Sequence, residues 1–257
     1  MILRGVCMKR FSQVLISTIF SLGCVGSALA QTAQENIRKM LESKLNGLKI
    51  EGITKTQVPS LYEVRIGGDL VYVDESGKYM LQGSLMDLAN SKNLTRERTE
   101  QLQAEADKAM MPTLWSDATL KNAVKLVKGN GKRKMVVFED PNCGYCKKLR
   151  QSIENINDVT VYTFVIPILS EDSSKKTRDL WCSADRQKAY DDWMLRGKIP
   201  VTAAKSCEDV TDESLELSQR LKVRGTPAIF FADGSRVPGF LPPDLLEKRL
   251  ATAKAVF

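Results

Sequence analysis

Two kinds of hydrophobic pattern divide the chain. In the C-terminal half, Met135-Val136-Val137-Phe138 and Val159–Ile166 are apolar runs of strand length, and Lys147–Ile156 between them has helical spacing. Strand, helix and strand in that order predict a βαβ unit with its two strands parallel. A mainly helical stretch over about residues 173–221 interrupts the pattern. The sheet then resumes with Ala228–Phe231 as a strand, Asp233-Gly234 as a turn and Arg236-Val237 as a partner strand. Pro242-Pro243-Asp244 opens a last helix, with Leu245, Leu246 and Leu250 expected inward.

The N-terminal half reads differently. Thr32-Ala33-Gln34-Glu35 is a capping box, followed by Ile37, Met40, Leu41, Leu45 and Leu48 on one face of a short helix ending near Gly47. Alternating Tyr62, Val64 and Ile66 predict a strand, and Leu70–Val73 and Tyr79–Leu81 flank Asp74-Glu75-Ser76-Gly77 as a hairpin. One helix and a few antiparallel strands make a small α+β unit with a limited core, of the kind that is stabilised by pairing. From Thr95 to Met110 charged residues dominate, with Leu94, Leu102, Ala106 and Met110 as a thin apolar line. A helix so polar predicts a bridge between domains rather than part of one, with a surface helix of a single domain as the alternative; Pro112 is expected to stop it. The boundaries are thus 31–92 for the N-terminal domain, 93–112 for a linker helix and 113–257 for the C-terminal domain.

Residues 1–30 read as a secretory signal. Arg4, Lys9 and Arg10 precede an apolar stretch from Phe11 to about Val25, and Ala28-Leu29-Ala30 supplies a cleavage site after Ala30. The stretch is too short, and too interrupted by Ser12, Ser17, Thr18 and Ser21, to cross a bilayer core of about 30 Å well, so no membrane span is expected in the mature form. Removing it takes the net charge from +7 to +4. Acidic and basic residues are interleaved, and the one short basic run, Lys132-Arg133-Lys134, reads as a solvated turn, so nucleic acid is not an expected partner.

The chain of 257 residues contains no histidine, which excludes Ser-His-Asp and Cys-His nucleophile pairs and histidine metal sites. Chemistry must therefore run on cysteine, carboxylate, lysine or tyrosine. Four cysteines remain after the signal, Cys143, Cys146, Cys182 and Cys207, and an even number in an oxidising compartment suggests two disulfides. Cys143-Gly144-Tyr145-Cys146 is a C-x-x-C placed where a strand gives way to a helix. At a helix N-terminus the first sulfur faces unpaired backbone N–H groups and the positive end of the helix dipole, which favour a thiolate nucleophile. The second, one turn in, is expected to be buried and to resolve the mixed disulfide. A zinc site is the alternative for all four cysteines, weakened by the wide spacing of the second pair; a purely structural C-x-x-C bridge is another. Cys182 and Cys207 read as a structural disulfide closing a loop worth roughly 3–4 kcal/mol in the chain-entropy model.

C-x-x-C after an apolar strand, with Gly225-Thr226-Pro227 before the later strand Ala228–Phe231, resembles the thioredoxin fold. The resemblance narrows to the DsbC-type periplasmic disulfide isomerases. It is carried by Asp69–Val73 with Gly77–Gly83, Cys143–Leu149, Trp181-Cys182 through Asp191-Asp192 to Cys207, and Gly225–Ala228 with Val237–Phe240. It implies an α+β architecture: a small cystatin-like dimerisation domain, a linker helix, and a thioredoxin fold with a helical insertion. It also implies a cis Pro227 facing the dithiol, Cys143 and Cys146 as catalytic residues, and Gly144, Tyr145, Thr226 and Pro227 as substrate contacts. No cofactor or metal is implied. The implied partners are misfolded disulfide-containing exported proteins, a DsbD-type membrane reductant, and a second copy in a V-shaped homodimer whose cleft would lend chaperone activity. Thr226 before Pro227 and Gly-Tyr between the cysteines favour the isomerase over DsbA-type oxidases, which usually show Val and Pro-His there. A dithiol oxidase or DsbG-like protein is the alternative within the class, and a dimeric holdase chaperone with an incidental dithiol the alternative outside it. The carboxylate that many thioredoxin-fold proteins carry six positions before the first active cysteine is replaced by Val137, leaving Glu139 and Asp140 as candidate proton relays, expected to be solvated in a turn before proline.

Overall fold

The computed structural model describes residues 25–45 and 47–254; the predicted signal, apart from residues 25–30, lies outside them. The chain divides into two compact units at Thr99/Glu100. In the first, helix α1 (Val25–Lys44) covers a four-stranded antiparallel sheet in the order β1 (Ile50–Lys55), β2 (Leu61–Ile66), β3 (Asp69–Asp74), β4 (Met80–Leu81). A two-stranded ribbon, β5 (Met86–Asp87) and β6 (Lys92–Asn93), follows. Ile37 and Leu41 of α1 close over Tyr62, Val64, Ile66, Val71 and Val73, the inward-facing residues of the period-2 pattern. Helix α1 starts ahead of the predicted capping box, because Ala28-Leu29-Ala30 are good helix formers that leave no break at Thr32. In the β3–β4 turn, Gly77 has φ +74°, and a Cβ there would meet the Met40 Cβ at 3.1 Å and the Ile37 Cα at 3.3 Å, so only glycine lets the hairpin sit under α1.

Helix α2 (Leu94–Leu114) leads into the second unit. It runs through Pro112 instead of stopping there, because Met111 and Leu114 are both fully buried and anchor the last turn. Its fully buried residues are Asp107, Met111 and Leu114. Of the predicted line Leu94, Leu102, Ala106 and Met110, Met110 packs at the edge of the same core, Leu94 and Leu102 are half-buried and Ala106 is exposed. The buried Asp107 carboxylate is paired with Arg236 at 3.2 Å. After α3 (Asp117–Leu120) come β7 (Val124–Lys128), β8 (Arg133–Glu139), α4 (Gly144–Glu154) and β9 (Val159–Val165). Then α5 (Glu171–Trp181), α6 (Arg186–Arg196) and α7 (Thr211–Arg220) form the insertion, and β10 (Ala228–Phe231), β11 (Arg236–Pro238) and α8 (Pro243–Thr252) complete the unit.

The sheet order is β11-β10-β8-β9-β7, with β8 and β9 parallel and every other pairing antiparallel. The β8-α4-β9 unit is the βαβ expected from the apolar runs. Strand β8 is covered on both sides, which is why it reads as a continuous hydrophobic run. Val136 and Phe138 pack with Met111, Leu114, Phe164 and Phe230 on one face; Met135 and Val137 pack with Leu149, Ile153, Leu246 and Leu250 on the other. In α8, Leu246 and Leu250, four apart, face inward, while Leu245 is 51% exposed because 100° of rotation turns it away. The basic run is only partly a turn: Arg133 and Lys134 already belong to β8, and Arg133 pairs with Glu247.

Cys182, which caps the end of α5, is disulfide-bonded to Cys207 across a Cα–Cα distance of 6.2 Å. Arg178 ties down the same loop by donating to the carbonyls of Cys207 and Ala204 at 2.7 and 2.8 Å. Replacing both cysteines by Ala is expected to cost roughly 3–4 kcal/mol, the loop-closure value for the 25-residue separation, and so to lower the Tm by about 6–16 °C. Calorimetry of the double variant beside the native disulfide form checks this; an unchanged Tm would mean that the Arg178 clamp alone holds the loop.

Candidate active site

Cys143 is the N-cap of α4. Its backbone is extended (φ −74°, ψ 119°), its Sγ accepts the Cys146 N–H at 3.4 Å, and its carbonyl accepts the first helical hydrogen bond, from Lys147 N at 3.1 Å. The sulfur therefore occupies the position a capping oxygen usually takes, against the orphan donors of the first turn. Its own S–H lies 3.4 Å from the Thr226 carbonyl, to which it donates. The Thr226–Pro227 peptide is cis, and the Pro227 carbonyl accepts Gly239 N at 2.7 Å, which fixes this loop in front of the dithiol. Cys143 and Cys146 are both free thiols, and Cys182 and Cys207 are bonded to one another, so the four sulfurs do not form one zinc set.

The two thiols differ. Cys143 keeps a small exposed area and Cys146 keeps none. Burial, reinforced by the nearby charge of Glu139 and by the Cys143 sulfur, holds the Cys146 thiol far above the ordinary thiol range, so it stays protonated at neutral pH. Beside them Gly144 is exposed with open space around its Cα, and the Tyr145 ring is 60% exposed, 6.5 Å from the Phe240 ring. Thr226 is partly exposed and Pro227 buried.

Both acids before Pro141 are fully buried, contrary to the solvated turn expected from the sequence. Asp140 is a structural anchor: its carboxylate accepts Asn142 N at 2.7 Å, Ile168 N at 2.8 Å, Leu169 N at 3.0 Å and Ser173 Oγ at 2.9 Å. Its carbonyl accepts Cys143 N at 3.0 Å, so one residue joins the C-x-x-C loop to the β9–α5 connection. Trp193 of α6 adds a second tie, donating from Nε1 to the Pro141 carbonyl at 2.6 Å, with Lys147 and Lys176 over its ring at 4.4 and 4.6 Å.

Glu139 ends β8 beneath the dithiol. Its Oε2 accepts the Tyr190 hydroxyl of α6 at 2.8 Å, and Arg150 of α4, itself buried, acts on it electrostatically while pairing with Asp191. Burial pushes the Glu139 carboxyl up to about 7, against the opposing pull of Arg150 and the Tyr190 hydrogen bond. Val137, the position six before Cys143, is inside the apolar core and offers nothing to a proton. Sequence reasoning missed Tyr190, Arg150 and Trp193. For Arg150 there was a signal: it shares the helical face of Cys146, Leu149 and Ile153, where a charged side chain implies a buried partner.

Two family models match the chain: "Disulfide bond isomerase protein N-terminal domain" over residues 27–96 and "Thioredoxin-like domain" over residues 120–254. A probable thiol:disulfide interchange protein DsbC from Bordetella pertussis is 45% identical over 214 residues, covering 83% of this chain and 73% of that protein. The thiol:disulfide interchange protein DsbC of Escherichia coli K12 is 28% identical over 238 residues, covering 90% and 93%. A crystal structure of a disulfide interchange protein from Neisseria gonorrhoeae, 40% identical, aligns with a TM-score of 0.51 over 53% of this chain and 98% of that one.

Proposed function

The chain belongs to the DsbC family of thiol:disulfide interchange proteins, and on that premise we propose that Cys143 is the nucleophile with which it isomerises disulfides and Cys146 the thiol that resolves. The observation that carries this reading is the capping geometry: the Cys143 sulfur accepts the Cys146 N–H at the start of α4 and lies beside the Thr226 carbonyl, while Cys146 is buried. The Cys143 thiolate attacks one sulfur of a substrate disulfide; a Cys143–substrate bond forms, the substrate S–S bond breaks, and the other substrate sulfur leaves as a thiolate. When a substrate thiolate attacks in turn, Cys143 is released and the substrate has exchanged pairings with no net oxidation. When Cys146 attacks instead, the substrate is reduced by two electrons and the protein is left with a Cys143–Cys146 disulfide. That second outcome calls for a reductant, here a membrane protein of the DsbD type, and for no cofactor.

Gly144, Tyr145, Thr226 and Pro227 line the approach to Cys143 and serve as the substrate contacts. The working compartment is the periplasm, reached through a signal cleaved after Ala30, and the substrates are misfolded exported proteins with disulfides. Among the described residues no helix is long and apolar enough to cross a membrane. Residues 31–92 act as the dimerisation domain and 93–112 as the linker to the catalytic domain, 113–257. Tyr79, Met80, Leu81, Met86 and Leu88 leave the N-terminal unit with exposed apolar side chains, which supports a homodimer and a chaperone-like hold on unfolded chains.

The direction of electron flow is tested by acid-trapping cells, alkylating with a mass-tag reagent, and resolving the C-x-x-C state with Cys182 and Cys207 intact. Predominantly reduced Cys143 and Cys146 are expected. A predominantly oxidised pair would make the protein a dithiol oxidase on the same fold.

A further inference from the structure

A buried thiol that must become a nucleophile needs somewhere to send its proton, and Cys146 is wholly buried. It packs in one cluster with Tyr190 and Leu180, and the charged group acting on it most strongly is Glu139. Asp140, the other nearby acid, has its carboxylate occupied by four donors. Glu139 does not: Oε2 takes the Tyr190 hydroxyl, and Oε1, equally buried, meets no donor among the described residues. Arg150 lies one helical turn beyond Cys146, with its guanidinium 5.1 Å over the Tyr190 ring.

We propose that Glu139 is the base that receives the Cys146 proton when that thiol resolves the mixed disulfide, with Tyr190 and Arg150 as its positioning residues. This rests on Cys146 being the resolving thiol. In the step, the Cys146 S–H proton passes to the Glu139 carboxylate, and the Cys146 thiolate attacks Cys143 Sγ. The Cys143–substrate S–S bond breaks as the Cys143–Cys146 bond forms, and the departing substrate thiolate is protonated in solvent. The substrate disulfide gains the two electrons that the dithiol loses. Glu139 later returns its proton to water or to Cys146 when the site is reduced again.

The surroundings suit such a base. The groups facing Glu139 are Arg150, whose charge favours the carboxylate, Tyr190, whose hydrogen bond does the same, and Asp191, whose charge opposes it. Burial outweighs the first two and brings the carboxyl to about 7, where a base is both available and strong enough at neutral pH. The Tyr190 hydroxyl is held well above its ordinary range by burial and by the Glu139 charge, so it remains a donor. An acid with only an electrostatic effect predicts the reverse behaviour: removing its negative charge eases Cys146 ionisation and quickens resolution.

The test is a single-turnover reaction of the reduced full-length protein with excess oxidised glutathione, acid-quenched and read by mass spectrometry from pH 5.5 to 8.5. Formation of the Cys143–glutathione disulfide reports attack; its decay reports resolution. Glu139→Gln is expected to leave attack in place, slow resolution at pH 7 by about 100-fold, and abolish the inflection near pH 7. Tyr190→Phe is expected to keep an inflection and move it to higher pH, since the lost hydrogen bond had held the carboxyl down. Resolution at the native rate or faster in Glu139→Gln, or an unmoved inflection in Tyr190→Phe, overturns the proposal. If the native protein forms no mixed disulfide at Cys143, the failure belongs to the assignment of the two thiols instead.

Discussion

Cys143→Ser is expected to reduce disulfide exchange to the rate of the buffer thiols alone, while leaving the protein as stable as before or slightly more so. The two halves of this expectation have separate causes. A serine hydroxyl does not ionise near neutral pH and does not form a mixed disulfide, so the first covalent step is lost entirely. Yet Cys143 is the N-cap of α4 with its sulfur accepting the Cys146 N–H, and serine is among the preferred residues at that position. The cap is retained with a shorter, better acceptor. Cys146→Ala is expected to behave in the opposite way: attack persists, intramolecular release is lost, and covalent complexes with substrate accumulate on a non-reducing gel. Reactivation of a scrambled disulfide substrate, together with thermal unfolding of the Ser variant, checks both. If Cys146→Ala abolished attack and Cys143→Ser accumulated the complexes, the roles of the two thiols would have to be exchanged.

The parts of the fold readable in advance are those whose neighbours lie close in sequence or whose burial is two-sided. Strands β8 and β9 are covered on both faces, so each is a nearly unbroken apolar run, and the C-x-x-C marks the junction with α4 by its spacing alone. The resemblance to the disulfide isomerases added what spacing does not contain, above all the loop at Thr226-Pro227, which approaches Cys143 across 83 positions of sequence. Strand β7, by contrast, was not singled out. It lies at the sheet edge, with Lys125 and Lys128 on it and Val127 half exposed, so its alternation is faint. Strand β1 is likewise an edge strand without a clear pattern, carrying Gly52 and an irregular register against β2, and the two-residue strands β5 and β6 and the four-residue α3 are too short to show any periodicity.

The buried acids show a different limit. Glu139-Asp140-Pro141 has the composition of an exposed turn, and nothing in the turn itself contradicts that. One side-chain partner of Asp140 is Ser173, 33 positions away, and the side-chain partner of Glu139 is Tyr190, 51 positions away. Both partners belong to the helical insertion, whose packing no local pattern encodes. Arg150 was the one local hint, since it completes the face of α4 formed by Cys146, Leu149 and Ile153, where a cation requires an acid already inside. The insertion thus supplies the distant partners of the buried acids, Ser173 and Tyr190, while the β8-α4-β9 unit supplies the acids, Arg150 and both sulfurs.

That division makes Arg150→Met the substitution with the largest expected cost in stability, about 3–5 kcal/mol at pH 8, because it removes the cation from a buried group of charges and leaves Asp191 and Glu139 uncompensated. The cost should shrink at pH 5. Unfolded, Glu139 releases its proton near its ordinary value of 4.5; folded, it holds it to about 7, so the folded chain binds more protons between those values and stability falls as pH rises through that window. Arg150 favours the ionised carboxylate, and without it the folded value moves higher and the fall extends beyond pH 7. At pH 5 the carboxyl is protonated in the folded state of either protein, and only the pairing with Asp191 is lost. Urea denaturation at the two pH values measures the difference. Glu139→Gln combined with Arg150→Met should recover part of the loss at pH 8, since the stranded carboxylate is then gone. An equal cost at both pH values, or no recovery in the double variant, would show that Arg150 supports the fold by packing alone and that Glu139 does not depend on its charge.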